Sequence, residues 1–71
     1  MASNATVIHV RFAPDGSVTE IGERPASLTA QQWFDRLSDK HAMDFQALSG
    51  GRGVYRVDAE KVEALKAAAL Q

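Results

Sequence analysis

The stretch that decides the fold is TVIHVRFAPDG, residues 6–16. Its residues 6–12 alternate between two sets of side chains, which is the period of a half-buried β-strand. The predicted inner face consists of Ile8, Val10 and Phe12. Residues 13–16 then combine proline, aspartate and glycine, which together favour a tight turn. The stretch therefore predicts a first β-hairpin.

The predicted return strand of this hairpin covers residues 17–21 and is rich in β-branched side chains. Val18 and Ile21 are an odd number of positions apart, so a regular strand would place them on opposite faces. We expect a β-bulge near Gly16 or Gly22 to bring both onto the same face, because a bulge adds one residue to a strand.

Several signals for the start of a helix follow the connector formed by residues 22–27. Thr29 is a suitable N-cap, and Gln32 stands at the position that completes a capping box. Leu28 and Trp33 occupy the two positions of a hydrophobic staple. Apolar residues then recur at helical spacing, which predicts an amphipathic helix over residues 30–41.

The second half of the chain repeats the order of hairpin and helix. Residues 45–48 and 54–57 are predicted strands on either side of the glycine-rich turn 49–53. Residues 45–48 have an alternative interpretation as a helical extension or a loop, because a short apolar run is ambiguous by pattern alone. Asp58 is a predicted N-cap for a second helix that runs to about Leu70.

Together these elements predict a small α+β domain with the order ββαββα. We expect two β-hairpins in one sheet, with two amphipathic helices packed on one face of that sheet. Residues 1–5 are predicted to be a flexible N-terminus, and residues 6–71 to form a single domain. A chain of 71 residues leaves room for only a thin core.

Composition restricts the classes of partner. The net charge is −1, so no global field attracts nucleic acid or an anionic membrane. Apolar residues make up 45% of the chain, which is typical of a folded domain and not of a disordered tail. The sequence shows no signal peptide, no membrane span and no cysteine, so the expected location is the cytoplasm, with no membrane partner.

The chain shows no constellation of residues typical of catalysis or metal binding. Cysteine is absent, and His9 and His41 are far apart, so we expect no metal site. Asp35 and Asp39 are interleaved with basic residues, as on an ordinary solvated helix face. Ser49 lacks the flanking pattern of a nucleophile elbow. We therefore predict a non-enzyme without cofactors.

The glycine-rich turn does not match either of the phosphate-binding motifs that contain similar glycines. It lacks the Lys-Ser or Lys-Thr pair of a Walker loop, and it leads into a strand, whereas a dinucleotide fingerprint opens a helix. The turn and its neighbours nevertheless combine basic residues with an aromatic one. The predicted contact surface consists of Gly51, Arg52, Gly53, Tyr55 and Arg56.

These features predict a small interaction module that binds another protein or a second copy of itself. A partner would add buried area to the thin core and to the alanine-rich last helix. It would also cover the open edges of the predicted strands. The alternative is weak nucleic-acid binding through the hairpin 45–57, in which arginines contact phosphates and the tyrosine stacks on a base.

Overall fold

The computed structural model describes residues 5–69 and has the predicted α+β class and the order ββαββα. The strands are β1 (Ala5–Phe12), β2 (Val18–Ile21), β3 (Phe45–Leu48) and β4 (Arg52–Asp58). The helices are α1 (Ala30–His41), which a short 3₁₀ helix (Ala42–Asp44) follows, and α2 (Ala59–Ala69). The strands form one antiparallel sheet in the order β2-β1-β4-β3.

The pairing of β1 with β4 forms the centre of the sheet. Its register runs from Ala5 opposite Asp58 to Arg11 opposite Arg52. Successive side chains of a strand point to opposite faces, so this register determines which residues of both strands enter the core. Ile8 and Tyr55 lie opposite each other and are both fully buried.

The first turn forms as the sequence predicts. Gly16 adopts a positive φ of 91°, which glycine tolerates without steric cost. The Asp15 carboxylate accepts a hydrogen bond from the backbone N–H of Ser17 at 2.9 Å. Ala13 N–H donates to the Ser17 carbonyl at 2.7 Å and closes the turn.

The return strand β2 contains a β-bulge, but the bulge lies at Thr19 and not beside either glycine. Arg11 pairs with Glu20 whereas Phe12 pairs with Val18, so Thr19 is the extra residue. The Thr19 hydroxyl donates to the Arg11 carbonyl at 3.1 Å across the bulge. The pair of Phe12 and Val18 next to the tight turn is regular, and the extra residue follows directly after it.

The bounds of α1 are those predicted from the sequence. Thr29 Oγ1 accepts from the Gln32 N–H at 3.1 Å, and Gln32 Oε1 accepts from the Thr29 N–H at 2.9 Å. This capping box satisfies two backbone donors in the region where a helix has no internal partners for its first N–H groups. Local side-chain chemistry therefore explains where α1 begins.

Side-chain hydrogen bonds attach α1 to the strands and turns beneath it. Trp33 Nε1 donates to the Gly22 carbonyl at 3.0 Å. Gln31 Oε1 accepts from the Val18 N–H at 2.9 Å. Val18 belongs to an edge strand, where a free backbone N–H could pair with a further strand. The hydrogen bond to Gln31 makes this N–H unavailable for such pairing.

The core lies between the sheet and the two helices. Helix α1 contributes Trp33 and Leu37, whereas α2 contributes Val62 as its one buried residue among those described. Dispersion and apolar burial thus come mainly from α1 and the central strands. The buried cluster consists of Ile8, Val10, Val18, Trp33, Leu37, Tyr55, Val57 and Val62.

Residues 45–48 form strand β3, so the strand interpretation is confirmed over the helical or loop alternative. The turn that joins β3 to β4 requires glycine at two positions, because Gly50 and Gly51 have φ values of 79° and 71°. The Gly51 carbonyl also accepts the Phe12 N–H at 2.8 Å and ties this turn to β1.

The chain ends differ slightly from the sequence prediction. Strand β1 begins at Ala5, one residue before the strand predicted from the sequence. Residues 1–4 and the predicted helix end at Leu70 lie outside the described residues. Neither helix, as far as the structure describes it, has the length and apolar character needed to cross a membrane.

Gly53 provides a test of the packing at this end of the sheet. A Cβ atom built on Gly53 would lie 2.4 Å from Cζ of the Phe45 ring. We expect Gly53→Ala to displace that ring and to lower the free energy of unfolding by about 1–3 kcal/mol, as overpacking does. Urea denaturation measures the change.

Gly22→Ala is the matched control for this substitution. Its nearest added contact would be 3.7 Å, to the His9 nitrogen, and its φ is not positive. We expect its unfolding free energy to stay within about 1 kcal/mol of the wild-type value. Equal stabilities of the two alanine variants would contradict the proposed contact between Gly53 and Phe45.

Candidate contact surface

The two faces of the sheet differ in what covers them. The helices and the buried cluster lie on one side, and within residues 5–69 no helix covers the other side. We call this second side the open face. The strand register places the following residues on it: Ala5, Val7, His9, Arg11, Glu20, Gln46, Leu48, Arg52, Val54, Arg56 and Asp58.

Aliphatic side chains run diagonally across the open face, from Val7 on β1 through Val54 on β4 to Leu48 on the edge strand β3. Val54 is only 2% exposed although it lies outside the core cluster, because it sits between His9 and Gln46 of the neighbouring strands. Val7 and Leu48 are 49% and 38% exposed. The open face therefore offers apolar area that a partner can cover.

Three arginines surround these aliphatic residues. Arg56 Nη1 donates to Gln46 Oε1 at 2.9 Å. Arg11 and Arg52 lie opposite each other on the two central strands. Arginine presents several donors in a planar fork, which suits recognition of carboxylate and phosphate groups. The open face thus combines apolar contact area with donors for an anionic partner.

A groove of about 400 Å³ lies at one end of the open face, above the pairing of β1 with β2. Arg11 and Arg52 line it, together with Leu48 from β3. Glu20 from β2 also reaches it. The groove is a concave region of the open face, and concave regions are where binding sites commonly form.

Tyr55 does not belong to this surface, which corrects the sequence prediction. Strand alternation turns it away from Arg52 and Arg56, and its side chain has no exposed area. Its hydroxyl lies 2.5 Å from Ser38 Oγ on α1. Tyr55 therefore supports the core and cannot stack on a base.

The two predicted glycines have conformational and steric roles. Gly51 is exposed and holds the positive φ that the turn needs. Gly53 is buried beneath the Phe45 ring. Of the predicted contact residues, the structure brings Arg52 and Arg56 together on the open face.

The sequence prediction missed Arg11, Glu20 and Leu48. Alternation in residues 6–12 does place Arg11 on the outer side of its strand, so part of the signal is present. What brings Arg11 beside Arg52 is the pairing of β1 with β4. No local pattern specifies that pairing, because the two strands are distant in the chain.

Among residues 5–69 no group of three potential metal ligands comes together. His41 Nδ1 lies 3.5 Å from Asp44 Oδ2, close to the end of α1. His9 is on the open face, on another element. Every buried side-chain nitrogen or oxygen in the described part has a hydrogen-bond partner within the protein.

Comparison with protein-family models, with curated proteins and with solved structures found no match to this chain. The geometry and chemistry of its surfaces are therefore the basis for a functional proposal.

The pKa of Tyr55 provides a test of its burial. Burial raises this pKa above the ordinary value of 10.0, the Ser38 hydrogen bond lowers it, and the Asp35 charge raises it. Since the folded pKa is the higher one, the stabilisation is complete below the unfolded value and is lost as pH rises through the folded value.

We therefore expect the folded protein to form tyrosinate at a higher pH than the urea-unfolded chain, measured by absorbance of its one tyrosine. Tyr55→Phe should weaken the loss of stability above about pH 10. Lys66, whose pKa is raised by its hydrogen bond to Glu23, is retained in both proteins and cancels in the comparison. Identical tyrosinate midpoints in folded and unfolded protein would contradict the burial.

The Arg11 and Arg52 pair provides a second test. Like charges that lie directly opposite on neighbouring strands destabilise a sheet. We expect Arg52→Gln to raise the free energy of unfolding by about 0.5 kcal/mol at low salt. The gain should shrink in about 1 M NaCl, where screening is strong. A salt-independent loss of stability would show that the two charges do not repel.

Proposed function

We propose that the chain is a non-enzymatic binding module whose open face binds an acidic segment of another protein. The observation that carries the proposal is the combination of exposed Val7 and Leu48 with three arginines on one helix-free face. Interfaces are built from an apolar centre with a polar rim, and arginine is enriched in them.

The absence of site chemistry in the described residues supports a binding role over catalysis. They contain no cluster of metal ligands, and their histidines lie apart, with His41 beside Asp44. A small sheet with an open surface offers contact area, whereas most enzymes need a concave pocket that excludes water.

The edges of the sheet favour face binding over strand addition. At one edge, the Val18 N–H is occupied by Gln31. At the other, the Phe45 N–H bonds to the Ala42 carbonyl. Both edge strands have only four residues. Short and partly satisfied edges are features that discourage pairing with a further strand.

Charge favours a separate partner over a second copy. The open face carries the three arginines against two carboxylates, Glu20 and Asp58, so a symmetric dimer would bring two net-positive surfaces together. Bringing like charges together in an interface is unfavourable. An acidic segment supplies the complementary charge, and its aliphatic residues would cover Val7 and Leu48.

Nucleic-acid binding remains the second candidate, because three arginines on one sheet face suit phosphate contacts. The aromatic residues argue against it. Single-strand binding on a sheet uses exposed rings as a platform for bases. The rings of this chain pack on the helix side instead, either in the buried cluster or against it: Phe12, Trp33, Phe34, Phe45 and Tyr55.

A methyl-labelled NMR titration tests the proposal. The probe is a short peptide that alternates glutamate with leucine, and its matched control replaces glutamate with lysine. We expect the acidic peptide to shift the methyl signals of Val7 and Val54, while those of the buried Val57 and Val62 stay in place. Arg56→Gln should weaken binding about threefold, as loss of one exposed charge pair does.

Arg36→Gln on the outside of α1 is the control variant and should bind as the wild type does. Failure of the acidic peptide to move the open-face methyls overturns the proposal. Tighter binding of oligothymidylate than of either peptide would favour nucleic acid. Light scattering over a concentration series tests whether the chain forms a dimer. If it does, and if dimer formation shifts the Val7 and Val54 methyl signals, the open face binds a second copy and not an acidic partner.

A further inference from the structure

Arg11 and Arg52 lie directly opposite each other on the two central strands of the open face. The neighbouring hydrogen bond from the Phe12 N–H to the Gly51 carbonyl measures 2.8 Å. Hydrogen-bonded and non-hydrogen-bonded pairs alternate along an antiparallel ladder, so Arg11 and Arg52 form a non-hydrogen-bonded pair. The Cα atoms of such a pair are about 4.5 Å apart. The two side chains therefore leave the sheet next to each other, and their ends then diverge, Arg11 toward Glu20 on β2 and Arg52 toward the Ser49 carbonyl.

The charges of this pair are only partly compensated by the protein. Arg11 Nε lies 3.5 Å from Glu20 Oε1, and both side chains are largely exposed. Arg52 Nε donates to the Ser49 carbonyl at 3.4 Å, which supplies no negative charge. Within the described part of the chain, Arg52 makes no ion pair. Glu20 is therefore the one carboxylate in contact with the pair, and it contacts Arg11 alone.

A compact dianion fits this arrangement better than a carboxylate does. A phosphate monoester carries a charge of about −2 at neutral pH and three strong acceptor oxygens. Arginine forks bind such oxygens with two parallel hydrogen bonds. A phosphoryl group between Arg11 and Arg52 would contact both forks and remove the repulsion between them. The groove that both arginines line has room for such a group.

The surroundings of the pair favour a single phosphoryl group over a phosphodiester chain. Across the sheet the row reads Glu20, Arg11, Arg52 and Leu48. The basic part is thus bounded by a carboxylate on one side and an aliphatic residue on the other. A nucleic-acid backbone needs a continuous basic track, because each of its phosphates carries a charge.

We propose that Arg11 and Arg52 bind the phosphoryl group of a phosphorylated side chain in the protein partner, a proposal that rests on the function proposed above. Glu20 acts as an internal competitor. Its carboxylate pairs with Arg11 when no phosphoryl group is bound, and it must yield when one arrives. Leu48 forms the apolar wall against which the segment around the phosphorylated residue packs.

The experiment compares two peptides on the intact protein. The first alternates glutamate with leucine, and the second has phosphoserine in place of the central glutamate. We expect the phosphopeptide to bind about tenfold tighter, as one additional charge-assisted hydrogen bond would provide. Calorimetry measures both affinities, and the Val54 methyl signal locates the binding.

Two variants separate a phosphoryl site from a general basic surface. Arg52→Lys keeps the charge and removes the fork, so it should lose most of the preference for phosphoserine while still binding the glutamate peptide. Glu20→Gln removes the competitor and should tighten phosphopeptide binding about threefold. Unchanged methyl signals of the buried Val57 and Val62 verify that each variant is folded.

The outcomes distinguish this proposal from the one on which it rests. Equal affinity for the two peptides, or a phosphoserine preference that survives in Arg52→Lys, overturns the phosphoryl site and leaves the acidic partner in place. If neither peptide binds, both proposals fail. If oligothymidylate binds more tightly than the phosphopeptide, the two arginines contact a phosphodiester chain instead.

Discussion

The antiparallel pairing of β1 with β4 is the constraint on which the rest of the structure depends. It joins the two hairpins into one sheet and sets Ile8 opposite Tyr55 in the core. The same register sets Arg11 opposite Arg52 on the open face. A slip of one residue in β4 would turn Tyr55 toward solvent and Arg52 toward the helices, because side-chain direction alternates along a strand. Burial and surface chemistry are therefore determined by one alignment.

Helix α1 secures this alignment from above. Its Trp33 and Leu37 fill the core, and three of its side chains make hydrogen bonds to the rest of the domain. These bonds reach the Gly22 carbonyl, the Val18 N–H on the edge strand and the Tyr55 hydroxyl. Helix α2 contributes less, with Val62 as its buried residue among those described. Stability is thus concentrated in α1 and the central strands, and the C-terminal helix depends on them.

The division of residues between the two faces links stability to the proposed function. Aromatic rings gather on the helix side, where Phe12, Phe34, Phe45 and Tyr55 pack with centroids 5.0 to 6.2 Å apart. The open face carries the arginines, with Arg11 directly opposite Arg52, a like-charge pairing that is unfavourable in a sheet. Functional sites commonly retain arrangements that are locally unfavourable. A bound anion would turn this repulsion into attraction.

The sequence alone determined the elements whose signals are local. The capping box of Thr29 and Gln32 defines the start of α1, and the Pro-Asp-Gly run defines the first turn, because the groups involved lie within a few residues of one another. The combination of basic residues around the glycine-rich turn also indicated Arg52 and Arg56 as members of one surface. Only the tertiary structure decided the position of the bulge at Thr19, the burial of Tyr55 and the meeting of Arg11 with Arg52. Those features depend on contacts between strands far apart in the chain, and such pairing is specified by the fit of the whole core and not by any single stretch of residues.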